Sequence, residues 1–112
     1  MRIYKILHRA EWSAALASGQ FTGSPIDLAD GFIHLSTGAQ AEETARRYFS
    51  GLSDLVVLEI EADELGAALR WEPSRGGDLF PHLYAVLLAS QVLAVHAAPL
   101  GAEGAPQIRV PA

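Results

Sequence analysis

The stretch GFIHLST, residues 31–37, decides how this chain is read. Its apolar, β-branched character is that of a buried strand, yet it carries a histidine and ends in two hydroxyls. Side chains alternate along a strand, so Phe32, His34 and Ser36 share one face and Ile33, Leu35 and Thr37 the other. Ile33 and Leu35 then face the core, and the opposite face reads aromatic, imidazole, hydroxyl. Thr37 and Gln40 stand at the spacing of a capping box. They predict a helix with Ala41, Ala45, Tyr48 and Phe49 as its apolar stripe and Gly51 as its stop.

Residues 2–7 read as a strand and residues 10–18 as a helix. Trp12, Ala15 and Leu16 fall at helical spacing there, and Gly19 is the C-cap. Residues 21–30 read as a polar loop that ends on the Asp30-Gly31 turn signal. DLVVLEIEA, residues 54–62, is a strand with Val56, Leu58 and Ile60 on one face and Glu59 and Glu61 on the other. A turn or single helical turn at 63–66, a short strand at 68–73 and a flexible SRGGD loop follow. Residues 80–89 and 92–97 are expected to pair as a hairpin around Ser90-Gln91. The order β-α-β-α and then strands predicts an α+β domain with a largely antiparallel sheet and two helices. Residues 1–99 form the single expected domain, and 100–112 a mobile tail with little to offer a core.

Composition narrows the function classes. The hydrophobic fraction is 50%, but 19 of those residues are Ala, so packing volume must come from Leu, Ile, Val and nine aromatics. At 112 residues, folding buries roughly two thirds of the surface of the unfolded chain. The net charge of −5 argues against a protein that grips long nucleic acid by phosphate neutralisation, though not against one nucleotide. Without cysteine, disulfides, thiolate zinc sites and thiol nucleophiles are excluded. Residues 79–102 carry no Asp, Glu, Lys or Arg, but Pro81, His82, Gln91, His96 and Pro99 interrupt them, so strands fit better than a membrane span. The expectation is a soluble, cytoplasmic protein with no membrane partner.

The chemistry concentrates in a rhyme. FIHLS and FPHLY both read Phe-x-His-Leu-hydroxyl, and Phe80, His82 and Tyr84 share a strand face as Phe32, His34 and Ser36 do. Two such strands predict one semi-apolar cleft with two imidazoles and two hydroxyls. Imidazole titrates near neutrality and is the usual acid–base group, which makes His34 and His82 catalytic candidates. The plain alternative is a half-buried histidine bonded to backbone, stronger for His82, where Pro81 signals an edge strand. Glu72, between Trp71 and Pro73, is either a solvated strand end or a catalytic or ribose-binding acid. His34, His82 and Glu72 could instead form a two-His, one-carboxylate metal set, although no His pair lies at i,i+2 or i,i+4. No phosphate-cradling glycine motif or hydrolase elbow is present.

Trp12 and Gly19, DGFIHLST with Gln40, and RWEPSRGGDLFPHLYAVL together resemble the small bacterial family called domain of unknown function 952. The resemblance runs from about Ile3 to Pro99. It implies a compact split-sheet α+β fold similar to ADP-ribosyltransferase-like domains, with NAD as the expected cofactor and no metal expected. Members of that wider group use an Arg or His on the first strand, a hydroxyl residue on the second and a late Glu or Gln. The carry-over gives His34 with Ser36 on the second strand, Lys5 or His8 on the first, and Glu72 as the late acid. His34, Glu72 and His82 are then the catalytic candidates, and Phe32, Ser36, Phe80 and Tyr84 the cofactor-binding ones. The 2′-phosphotransferase type within that fold acts on RNA, a partner the acidic balance argues against. Three functions stand open: an NAD-dependent transferase or glycohydrolase, a non-catalytic small-ligand or nucleotide module, and a metal-assisted hydrolase.

Overall fold

The computed structural model describes residues 1–111, with Arg75 described by its backbone alone. Nine strands and three α-helices follow in chain order: β1 (Arg2–His8), α1 (Arg9–Ser18), β2 (Gln20–Phe21), α2 (Pro25–Asp30), β3 (Ile33–His34), β4 (Ser36–Thr37), α3 (Gly38–Tyr48), β5 (Leu55–Glu61), β6 (Leu69–Pro73), β7 (Leu79–Leu83), β8 (Leu87–Leu88) and β9 (Val92–Ala97). The strands form an antiparallel four-stranded sheet in the order β4-β1-β5-β9, a three-stranded sheet β3-β7-β6 and a small β2-β8 pair. The mixed α+β fold with antiparallel sheets is the expected one.

The central strands are where the sequence is most apolar. β5 alternates cleanly: Val56, Leu58 and Ile60 join Ile3, Leu7 and Trp12 in one core, while Leu55 and Val57 join Tyr4, Ile6 and Ala45 in the second. The four-stranded sheet is thus covered on both faces, and burying these side chains contributes roughly 1.5–3 kcal/mol apiece for the larger ones. α1 contributes Trp12 and Ala15 to the first core, but Leu16 faces outward. α3 buries Ala41 and Ala45, and Tyr48 is exposed. Its capping box forms as expected: Gln40 N donates to Thr37 Oγ1 at 3.2 Å, and Thr37 N to Gln40 Oε1 at 3.1 Å.

Three expectations are corrected. The polar loop at 21–30 contains α2, a third helix, with Ser24 as N-cap, Pro25 in the first turn and Gly31 as C-cap at φ 87°. Six residues are too few for an apolar stripe, so only the punctuation shows: Gly31 ends a helix and does not turn a hairpin. The 80–89/92–97 hairpin does not form. β7 pairs with β3 and β6, β8 with β2, and β9 with β5. A run without alternating polarity marks strands but says nothing about partners. Lastly, β7 is the middle strand of its sheet despite Pro81, whose carbonyl accepts the Leu35 N–H at 3.0 Å.

The segment read as a tail lies against the body over its described residues. Leu100 bridges Pro106, Gln107 N donates to Pro99 O at 2.8 Å, and Ile108 and Val110 pack on the second core. Ala112, the last residue of that segment, lies outside the described residues. Among the described residues, no helix is long and apolar enough to cross a membrane.

Candidate functional site

The GFIHLST stretch does not run in one sheet. Ile33 and His34 pair with Leu83 and His82 of β7, whereas Ser36 and Thr37 pair with Tyr4 and Ile3 of β1. Leu35, buried between them, is where the chain crosses from the three-stranded to the four-stranded sheet. β4 covers β1 only as far as Tyr4, so the remaining β1 edge has no strand beside it among the described residues. The sheets part there, and a cleft of about 630 Å³ opens, within the size range of small-molecule and cofactor sites.

Three imidazoles line this cleft: His8 at the end of β1, His34 on β3 and His82 on β7. His34 and His82 are direct cross-strand neighbours with ring centroids 5.6 Å apart, so the two halves of the rhyme meet. Ser36 and Phe80 also line the wall, and Ser36 Oγ lies 3.2 Å from Thr44 Oγ1. Phe32 stacks on His82 with centroids 4.1 Å apart and lies 4.6 Å from His34. It packs against both imidazoles and is not itself among the lining residues.

Glu72 and Tyr84 stand behind His82. Glu72 Oε1 is 2.8 Å from His82 Nδ1 and accepts the Tyr84 hydroxyl at 2.7 Å. The Tyr84 hydrogen bond, then that of His82, holds the Glu72 carboxyl below the usual range, and the same contact raises the Tyr84 phenol. An ionised Glu72 can only accept, so Nδ1 of His82 carries a proton and Nε2 is its other nitrogen. Carboxylate-oriented imidazole is the arrangement by which enzymes fix a tautomer for proton transfer.

His34 has a carboxylate partner of its own, which the sequence did not reveal. Asp27, on α2, is fully buried, and its Oδ1 lies 2.6 Å from His34 Nδ1 and accepts the His34 backbone N–H at 3.0 Å. Lys5 Nζ donates to Oδ1 at 3.0 Å and to Oδ2 at 2.8 Å, and Ser24 N donates to Oδ2 at 2.8 Å. Burial alone would raise the Asp27 pKa, but the His34 hydrogen bond and the Lys5 charge overcome it and bring it to about 2. Burial pushes Lys5 below an ordinary lysine value, which Asp27 offsets only in part. The Ser24-x-x-Asp27 spacing was the available signal, since it is the capping-box pattern at a helix start.

The metal reading finds no support in this arrangement. His34 Nδ1 faces Asp27, His34 Nε2 faces Asp30 at 2.9 Å, and His82 Nδ1 faces Glu72. Among the described residues no group of three His, Cys, Asp or Glu is disposed to hold a metal ion. His96 is tied across strands to Glu59 at 2.7 Å and stands apart from the cleft lining.

The family model described as "Protein of unknown function (DUF952)" matches residues 6–95, which contain all the histidines of the cleft. The chain belongs to the DUF952 family. Among solved structures, this DUF952 chain is similar to protein CC0527 from Caulobacter crescentus. The crystal structure of that protein is 58% identical, with a TM-score of 0.93 over 96% of this chain and 94% of that one. Its solution NMR structure gives 58% identity and a TM-score of 0.86 over 95% and 91%. No curated protein matches at a significant level.

Proposed function

We propose that this DUF952 chain binds NAD or a related nucleotide in the cleft between its sheets and uses the paired histidines for ADP-ribosyl-type transfer. The observation that carries the reading is the meeting of His34 and His82 at the wall of one cleft, each with a carboxylate on Nδ1. The split sheet also agrees with the sequence resemblance to ADP-ribosyltransferase-like domains.

The wall fits a nucleotide in kind. Phe49 and Phe80 offer apolar faces for a heterocycle, and Tyr4 presents a buried hydroxyl with no hydrogen-bond partner among the described residues. An orphaned buried hydroxyl costs roughly 1–3 kcal/mol, which a ligand's polar atom would relieve. His8, His34 and His82 would hold ribose hydroxyls or phosphate oxygens. When bound, NAD supplies the ADP-ribosyl group by loss of nicotinamide. Glu11 and Asp30 are carboxylates in the wall itself, placed where negative charge favours cationic character in a ribosyl group. Glu72, the late acid of the resemblance, acts in this arrangement as the positioning residue of His82.

Calorimetric titration of NAD and ADP-ribose into the wild type, His34→Ala and His82→Ala tests the reading, with released nicotinamide followed chromatographically. Saturable binding in the wild type, lost in His82→Ala, is expected. No heat with NAD, ADP-ribose or AMP would overturn it. Binding without nicotinamide release under any acceptor would reduce the function to a nucleotide-binding module.

A further inference from the structure

His34 is bracketed by two carboxylates of one short helix. Asp27 and Asp30 lie three residues apart on α2 and so project to one side of it, Asp27 to Nδ1 at 2.6 Å and Asp30 Oδ2 to Nε2 at 2.9 Å. The two are not equivalent. Asp27 is sealed in, with 1% of its side chain exposed, whereas Asp30 is 44% exposed and lies in the cleft wall. Asp27 accepts hydrogen bonds from Lys5, Ser24 and the His34 backbone and cannot leave without stranding all of them. Asp30 is the last residue of α2, before the left-handed Gly31, and its carboxylate faces His34.

We propose that His34 Nε2 is an oxyanion subsite, for a phosphate or carboxylate group of the ligand, and that Asp30 occupies it as an internal competitor in the unliganded chain. Asp27 fixes the proton on Nδ1, because an ionised carboxylate only accepts. Asp30 Oδ2 stands at ion-pair distance from Nε2, an attraction that counts only when Nε2 carries a proton too. A ring protonated on both nitrogens presents a cation to the cleft, and an incoming oxyanion takes the place that Asp30 Oδ2 holds 2.9 Å from Nε2. The other charged or titratable groups around the ring are Lys5 of β1, reached through Asp27, and His82 of β7, with Glu72 behind it. None of these places a second carboxylate on Nε2, so the exchange is between Asp30 and the ligand. The subsite rests on the reading of the cleft as a ligand site and gives that ligand an acidic group; it makes Asp30 a specificity-determining residue.

The test follows the His34 ring nitrogens by ¹⁵N NMR while inorganic phosphate, and separately acetate, is titrated into the wild type, Asp30→Ala and His34→Ala. Far-UV circular dichroism checks that each variant is folded. Asp30→Ala is expected to shift the phosphate midpoint lower, by up to about fivefold, the range of one exposed ion pair removed from competition. A tighter response to phosphate than to acetate assigns the subsite to phosphate, and the reverse assigns it to carboxylate. A His34 ring insensitive to both anions, or a midpoint in Asp30→Ala equal to or weaker than wild type, overturns the proposal. The two readings fail separately. NAD binding with a silent His34 removes the subsite alone, whereas phosphate saturating His34 in a chain that ignores NAD removes the nucleotide reading alone.

Discussion

At the scale of single residues, the site depends on carboxylates that the eye does not find first. His34 and His82 stand out in the sequence because their surroundings rhyme, yet what orients them is Asp27 and Glu72. Asp27→Asn leaves Lys5 buried without its counter-charge, and unfolding in urea at pH 7 should show a loss of about 3–5 kcal/mol, the range for breaking one side of a buried pair. The same carboxyl sets an acid limb. Its folded value of about 2 lies below the ordinary 3.8, so it contributes stability that is complete above about pH 4 and disappears as pH falls through 2. The contribution is roughly 2 kcal/mol. A wild-type stability profile that is flat between pH 4 and 2, or identical to that of Asp27→Asn, would contradict this role. Glu72→Gln, by contrast, changes a half-exposed contact and should leave stability within about 1 kcal/mol of wild type while weakening any ligand binding that depends on His82.

At the scale of elements, legibility tracked length. β5 and α3 are long enough for their periods to show, and Val56, Leu58, Ile60, Ala41 and Ala45 all face inward as their spacing predicts. α2 has six residues and shows only its Ser24-Pro25 start and its Gly31 stop, so Asp27, on its buried side, was read as part of a loop. The hydroxyl face of GFIHLST was legible; that the stretch changes sheets at Leu35 was not, because partner choice is a non-local fact. One glycine exposes the constraint on α2. Gly23 has φ 132°, and a Cβ there would stand 2.9 Å from Asp27 Cβ. Gly23→Ala therefore forces α2 and Asp27 off β3. We expect a loss of about 1–3 kcal/mol in urea unfolding, with shifted His34 ring resonances. Unchanged His34 resonances would show that Asp27 is not positioned from this side.

At the scale of the whole molecule, the fold is one four-stranded sheet covered on both faces, with a smaller sheet attached through Leu35 and held apart at the cleft. The chain end takes part, since Ile108 and Val110 pack on the core formed by Tyr4, Ile6 and Val57. The double variant Ile108→Ala/Val110→Ala removes partly buried apolar surface and should cost about 1–2 kcal/mol, lowering Tm by several degrees in calorimetry. An unchanged Tm would mean that this segment behaves as the mobile tail its composition suggested. Amide NMR mapping of an NAD titration shows whether the ligand enters where the sheets part. Saturable shifts are predicted along β1 from Lys5 to His8, at Ser36 and at His82. Shifts confined to the β9 edge or to β6 around Trp71, with β1 silent, would place the ligand outside the cleft.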